Sequence, residues 1–284
     1  MDVAAESPLR ERMIFNIGAR RSGTYWLQRI VTAHPSVGEV PSETHLLSHG
    51  IAPLLERFQH ADRDSTEVGR VYVPRERLLA ALRHLCDEVF REYLGPGQER
   101  VAERTPLHIF HLELISEVYP DAKFVHIIRD GRDVTRSIAS QDWGPAEIAD
   151  AATEWRDSVS AARHAGLPPD RYLEVRYETL LANPRSQIEQ IYEWLGLPTA
   201  PEDLAHPLAE SAREENVDRF GMGGVRTEKW RAAFDRRDLA AFDAIAGDLL
   251  EELGYPAAAG EPSSRGLLGR TGAIGSAITR RLRG

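Results

Sequence analysis

The chain reads as an α/β protein in which a parallel central sheet is flanked by helices on both faces. Three observations carry that reading. Short apolar runs suited to buried strands, at 13–17, 100–103, 123–128 and 172–176, alternate with amphipathic segments at 24–33, 76–93, 107–118, 133–140, 147–164, 184–195 and 239–253; this is the order of βαβ units, not of hairpins. Two of the runs, 13–17 and 123–128, end in polar, glycine- and arginine-bearing turns, where open parallel sheets bind their ligands. At 284 residues and 42% hydrophobic content the chain can bury a full core as one domain, although its length alone would also accommodate two.

The first run, Met13 to Ile17, is followed by Gly18-Ala19-Arg20-Arg21-Ser22-Gly23-Thr24 and then by a helical pattern through Trp26, Leu27 and Ile30. Gly18 and Gly23 permit the backbone turn. The helix opening at Ser22-Gly23-Thr24 points backbone N–H groups and the positive end of its dipole at one place, which is an anion site. Arg21 and the hydroxyls of Ser22 and Thr24 surround it. The loop is not a triphosphate loop of the G-x-x-x-x-G-K-[ST] kind, because Gly23 is followed by Thr24-Tyr25. Such a turn also occurs with no ligand at all. Residues 46–75 read as a loop or lid, and 76–93 as an amphipathic helix that buries the single cysteine, Cys86.

Further along, 100–103 is a strand candidate that leads into Arg104-Thr105-Pro106. Lys123 to Ile128 is another, ending in Arg129-Asp130-Gly131-Arg132-Asp133, with Ser137 eight residues after Arg129. Arg129 at the strand end can donate a fork of hydrogen bonds to a phosphate, and Ser137 can reach the same group from the helix that follows. An R-D-x-R-D run is also found as a solvated, salt-bridged helix start. The fourth candidate, 172–176, precedes Tyr177-Glu178-Thr179-Leu180 and Asn183-Pro184. From Pro256 the composition shifts to Ala, Gly, Pro and Ser and ends in Arg280-Arg281-Leu282-Arg283. Residues 257–284 are therefore expected to be a flexible basic tail, or else a short amphipathic helix making weak contact with a membrane or a partner.

Arg21-Ser22-Gly23-Thr24-Tyr25-Trp26-Leu27 resembles the 5′-phosphosulfate loop, [K/R]-[S/T]-G-T-[T/S]-x-L, of sulfotransferases that use 3′-phosphoadenosine-5′-phosphosulfate (PAPS). The Arg129 to Ser137 segment resembles their 3′-phosphate motif, R-[D/N]-x-x-[D/E]-x-x-x-S. The two stand in the family's order, about 105 residues apart. Glu43-Thr44-His45 resembles the segment that carries a catalytic Glu in the carbohydrate and tyrosyl-protein branch. Glu103-Arg104-Thr105-Pro106 resembles its E-K-[ST]-P segment with Arg for Lys, and Tyr177-Glu178-Thr179-Leu180 its Y-E-D-L turn. Together the resemblance covers roughly residues 13–256.

It implies a single domain over 1–256 with the P-loop-NTPase-like sulfotransferase fold, and in-line transfer of a sulfuryl group from PAPS to a hydroxyl, with no metal required. Arg20, Arg21, Ser22, Gly23, Thr24, Tyr25 and Trp26 are implied at the 5′ end of the donor, and Arg129 and Ser137 at its 3′-phosphate. Tyr177 and Trp26 are implied beside the adenosine, and Arg226 as a basic residue returning from the carboxyl side. Tyr25 stands where Thr is common. Arg21 replaces a common Lys, and since Arg is a poor proton donor its implied role is to stabilise charge on the leaving phosphate. Glu43 is the implied base, with His45 orienting it or acting as the base itself. Arg104 is implied to contact the sulfuryl group or the acceptor, or else to pair with Glu103. Trp143 lines an acceptor cleft or packs in the core. The E-x-H likeness leans toward a small-molecule, carbohydrate or glycolipid alcohol as acceptor.

A net charge of −9 argues against nonspecific nucleic-acid binding, so the arginines form a local pocket. One cysteine excludes an intrachain disulfide. No apolar run reaches the roughly 18 residues of a membrane span and residues 1–12 lack an apolar signal core, so a soluble cytoplasmic protein is expected. Two other functions fit parts of the pattern, a nucleotide kinase of related fold and a noncatalytic nucleotide-binding protein. The missing G-K-[ST] and the 3′-phosphate motif count against the first.

Overall fold

The computed structural model describes residues 7–57, 74–212 and 227–257. Among them, strands β1 (Met13–Ile17), β2 (Val37–Glu39), β3 (Arg100–Glu103), β4 (Lys123–Ile128) and β5 (Tyr172–Arg176) form one sheet in the order β2-β3-β1-β4-β5. Every pairing is parallel. Four of the strands coincide with the apolar runs of the sequence. The edge strand β2 has no such run, since Val37-Gly38-Glu39 carries one bulky residue and a glycine. That glycine is required by close approach: a Cβ on Gly38 would lie 2.0 Å from the Tyr93 carbonyl oxygen.

Helices α1 (Thr24–Thr32), α2 (Arg75–Arg91), α3 (Leu112–Val118), α4 (Gly131–Ala139), α5 (Ile148–Arg163), α6 (Tyr177–Ala182), α7 (Pro184–Leu195), α8 (Pro201–Ala212), α9 (Trp230–Ala233) and α10 (Arg236–Glu252) connect and cover the strands. The segment expected as one helix over 107–118 is divided. Pro106 opens a 3₁₀ turn, Pro106–Phe110, and His111 leaves helical geometry at φ −127° before α3 begins. Residues expected as loop from 46 onward instead form a π-helical turn, Leu46–Ile51, that buries Leu47 and Ile51. α8 carries Pro207 inside it, a residue that masks the helical pattern in the sequence. The remainder of the lid segment (58–73), Arg226, and the tail from 258 onward lie outside the described residues.

Alternation along the central strands divides the core. Met13, Phe15 and Ile17 of β1 and Phe124 of β4 face a layer built by α2 and α3, including Leu82, Phe90, Leu112 and Ile115. Ile14, Val125 and Ile127 face the opposite layer of Leu27 and Ile30 of α1 and Ile188, Ile191 and Tyr192 of α7. β1 is buried on both faces, as a strand in the middle of a covered parallel sheet must be. Asn16 is its polar member. Its amide donates to Gln28 Oε1 at 2.7 Å, and the Gln28 amide donates to the Ala102 carbonyl at 2.9 Å, tying α1 to the carboxyl ends of β1 and β3. A third cluster joins α4, α5 and α10 through Val134, Trp155 and Phe242. No helix among the described residues is long and apolar enough to cross a membrane.

Buried His126 of β4 has its Nδ1 2.6 Å from the Tyr172 hydroxyl, which donates onward to Glu174 at 3.1 Å. Burial first, then the charges of Arg163 and Arg176, depress its pKa to about 3. The unfolded chain, titrating near 6.5, therefore binds this proton before the folded chain does. Its contribution to stability is complete above about pH 6.5 and is drawn down as pH falls toward 3, by up to about 1.4 kcal/mol per pH unit. Urea midpoints measured at about pH 7, 5.5 and 4 should fall less steeply for His126→Phe than for the parent; parallel curves would contradict this account.

Candidate active site

The turn between β1 and α1 is built around two positions that exclude any side chain. A Cβ on Gly18 would lie 2.6 Å from Ser22 Oγ and 2.8 Å from the Ile127 carbonyl oxygen. Gly23 has φ +104°, and its Cβ would lie 2.8 Å from the Tyr177 ring. Ser22 closes the turn on itself, its N–H donating to the Ala19 carbonyl at 3.1 Å and its hydroxyl to the same oxygen at 2.6 Å. Its hydroxyl proton is thus directed into the loop. Arg21 adopts φ +69°, a left-handed conformation that costs a non-glycine residue about 1–2 kcal/mol. α1 starts at Thr24 with no side-chain cap, so its positive end opens onto the cleft above.

The second segment meets the first there. Arg21 Nε donates to Ser137 Oγ at 3.0 Å, joining the loop to α4 across 116 positions of sequence. Arg129, 4% exposed, lies with its guanidinium 4.5 Å above the Tyr177 ring, Nη1 3.4 Å from the Arg21 carbonyl oxygen and Nη2 3.6 Å from Asp133. Burial, and next the Arg129 charge, lower the Arg21 pKa from its ordinary value. Two guanidinium groups are held close together, an arrangement that favours an anion between them.

The R-D-x-R-D run is not a solvated helix start. Asp130 caps α4 by accepting from the Arg132 N–H at 2.9 Å, and its carboxylate takes a fork from the Arg132 guanidinium at 3.0 and 2.7 Å. Arg132 is 1% exposed, lies 4.0 Å above the Trp230 ring and donates to the Pro256 carbonyl at 2.9 Å. Asp133 accepts from the Trp230 N–H at 3.0 Å. The run thereby anchors α9 beside Arg129. It also brings up Lys229, three residues beyond the expected Arg226 in the segment 225–230 where the resemblance places a returning Arg or Lys. Burial, then the Arg136 and Arg129 charges, push its pKa down. Lys229 is 100 residues from Arg129 in the chain, and the seating of Trp230 on Asp133 carries it into the same basic group.

On the other side of the loop, Glu43 Oε1 accepts from Arg104 Nη1 at 2.8 Å, and Glu43 Oε2 is 3.5 Å from His45 Nε2. Arg104 therefore pairs with Glu43, not with its neighbour Glu103. Its guanidinium also lies 5.3 Å above the Tyr25 ring. Arg20 donates to Glu154 at 2.6 Å and lies 4.4 Å above the Trp143 ring. All of these except Glu103 and Glu154, with Gly23, Thr24, Trp26, Pro106 and Leu107, line one cleft of about 380 Å³ that also reaches Arg21, Arg129 and Ser137.

Trp26 is 4% exposed, its indole N–H donating to the Ser211 carbonyl at 3.3 Å and its ring edge-on to Tyr177 at 5.2 Å. Tyr177 is 1% exposed and lies beneath Gly23 and Arg129 without lining the cleft. Trp143 is 52% exposed, at the cleft's rim instead of in the core. Among the described residues no group of three or more His, Cys, Asp or Glu is placed to hold a metal.

Residues 13–201 match the model of the Sulfotransferase family. A protein-tyrosine sulfotransferase of Drosophila melanogaster is 24% identical over 201 residues, covering 68% of this chain and 40% of that protein. The chain thus spans about two fifths of that relative's length. Among solved structures, the sulfotransferase domain of the Synechococcus PCC 7002 olefin synthase superposes with a TM-score of 0.58 at 21% identity, covering 86% of this chain and 94% of that one. A mouse sulfotransferase complexed with PAP superposes with a TM-score of 0.54 at 17% identity, covering 88% and 94%.

The steric account of the loop is open to test. Gly23→Ala must strain the backbone and displace the Tyr177 ring, which carries Arg129. It should cost about 1–3 kcal/mol of stability, read from urea midpoints. Gly97→Ala is the control, with φ +79° and nothing within 4 Å of the added carbon; it bears the backbone strain alone and should cost less. Equal losses in the two variants would count against the tight seating of this loop.

Proposed function

The chain belongs to the sulfotransferase family, and we propose that it moves a sulfuryl group from PAPS to a hydroxyl of a small-molecule, carbohydrate or glycolipid acceptor. The observation that carries this reading is the Arg21–Ser137 contact at 3.0 Å, which unites the loop suited to a 5′-phosphosulfate with the segment suited to a 3′-phosphate. A bisphosphorylated nucleotide needs both; ATP needs only the first. The donor fits on a second count, since Arg21 and Arg129 line the cleft beside the start of α1, which no side chain caps, and this is a donor set suited to anionic groups.

When bound, PAPS supplies an activated sulfuryl group and a phosphate leaving group. Arg21, Gly23 and Thr24 are assigned to its 5′ end, with Arg21 stabilising negative charge as it develops there. Arg129 and Ser137 are assigned to its 3′-phosphate, and Lys229 adds positive charge to that side. Ser22 and Tyr177 act by shaping the loop and supporting Arg129. At the acceptor end, Glu43 is the proton acceptor for the attacking hydroxyl. Arg104 orients the Glu43 carboxylate by the 2.8 Å bond and His45 flanks it at 3.5 Å. Tyr25, Leu107 and Trp143 offer ring and apolar surface to the body of the acceptor. The fly relative's name puts a tyrosyl phenol beside the alcohols to be tried.

A thermal-shift titration tests the donor assignment without knowledge of the acceptor. At about 100 times its dissociation constant, adenosine 3′,5′-bisphosphate should stabilise the protein by about 2.7 kcal/mol, AMP and Mg²⁺-ATP should do much less, and Arg129→Ala should abolish the preference. An equal response to ATP would favour a kinase. Glu43→Gln should leave bisphosphate binding intact and reduce turnover by about 10²-fold or more; normal turnover would remove Glu43 as the base.

A further inference from the structure

Directly behind Glu43 and His45 lies a second carboxylate that the transfer reaction does not touch. Glu103 ends β3, and the strand's alternation turns it inward while Arg104, the next residue, enters the cleft and pairs with Glu43. Glu103 is 0% exposed. Its Oε1 accepts from the Thr44 hydroxyl at 3.0 Å, from the Thr44 N–H at 3.4 Å and from the Thr105 hydroxyl at 2.5 Å. Its Oε2 is 2.9 Å from His108 Nδ1. Burial alone would raise its pKa, but His108 and the hydroxyl donors outweigh it and hold the carboxyl below its ordinary range.

Thr44 stands between the two residues assigned to proton transfer. The His45 N–H donates to Thr105 Oγ1 at 3.4 Å, so Glu103 holds both the residue before His45 and the group that receives its N–H. His45 itself adopts φ +51°, a strained conformation for a non-glycine residue that persists only where its surroundings over-determine it. The bonds from Thr44 and Thr105 to Glu103 supply that constraint.

We propose that Glu103 is a positioning residue for sulfuryl transfer, fixing the Glu43-Thr44-His45 segment so that the Glu43 carboxylate and the His45 imidazole face the cleft together. The proposal rests on the assignment of Glu43 as base. Because Glu103 acts through that segment and never reaches the donor loop, its loss should reduce turnover and spare donor binding.

The test is a double-mutant cycle on the full chain, read as release of adenosine 3′,5′-bisphosphate from PAPS. The acceptors offered are a tyrosyl peptide, p-nitrophenol and octyl glucoside, with water serving when none is used. Rates are expressed per bisphosphate-binding site, so that misfolded protein does not count. Glu103→Gln should slow release by roughly 10- to 100-fold, the usual cost of a small misplacement of reacting groups, with bisphosphate affinity unchanged to within about twofold. On a Glu43→Gln background the same change should cost no more than about twofold.

Thr44→Val, which removes one hydroxyl and leaves Glu103 with His108 and Thr105, should reduce release in the same direction and serves if Glu103→Gln does not fold. Full release in Glu103→Gln, or in Thr44→Val where that variant alone folds, would overturn the proposal. So would a loss in the double variant equal to the product of the two single losses. If the parent binds no bisphosphate, the donor assignment fails and this proposal with it; if Glu43→Gln is fully active, the base assignment fails and takes this proposal with it, whereas full release in Glu103→Gln beside an impaired Glu43→Gln overturns this proposal alone.

Discussion

The site depends on the parallel pairing of β1 between β3 and β4. The register sets Phe15 opposite Glu103 and Ile17 opposite His126, and parallel strands send their chains out over the same edge of the sheet. The three segments that leave this edge are the 18–23 turn, Arg104 and Arg129. With neighbouring strands about 4.8 Å apart, groups separated by more than a hundred residues of sequence meet with no long loop to hold them. Burial of β1 on both faces makes the arrangement rigid, since a shift of one residue would turn Asn16 toward the apolar layer that receives Phe15.

Concentrating positive charge at that edge has an electrostatic cost, and the fold meets it with two kinds of carboxylate. Glu43 and Glu154 neutralise Arg104 and Arg20 at the cleft's rim. Asp130 and Asp133 lie deeper, where they serve Arg132, Arg129 and the Trp230 backbone. The buried pair doubles as the hinge on which α9 is hung, so the same run that presents Arg129 also determines how Lys229 approaches. The Arg21 pKa is lowered by burial and next by the Arg129 charge, so bringing these two cations together has a cost.

Glu43 and Glu103 show how burial separates the work of two like groups. Glu43, with a side chain 37% exposed, opens onto the cleft and onto solvent. Glu103 is sealed in and bonded on both oxygens, so it can only hold its neighbours. Their connection runs through a single residue, Thr44, and through the strained backbone of His45.

The sheet was legible in the sequence because its central strands are continuous apolar runs, and periodicity reports burial directly. The glycine turn between β1 and α1 was legible because glycine spacing and a following helix are local properties. β2 was not, since Val37-Gly38-Glu39 owes its place to the Tyr93 backbone pressed against Gly38. Nor was α8, whose internal Pro207 hides a helix that packing sustains. The candidate residues around Arg21, Glu43 and Arg129 could be named from the chain, but not their partners. By itself the sequence determined the α/β class, the strand candidates and the family, all of which rest on short-range pattern. Only the tertiary structure decided that Arg104 pairs with Glu43 and not Glu103, that Tyr177 supports the loop from below, and that Trp230 brings Lys229 to Arg129. Those contacts join residues that share no local pattern and meet solely because the strands that carry them are neighbours.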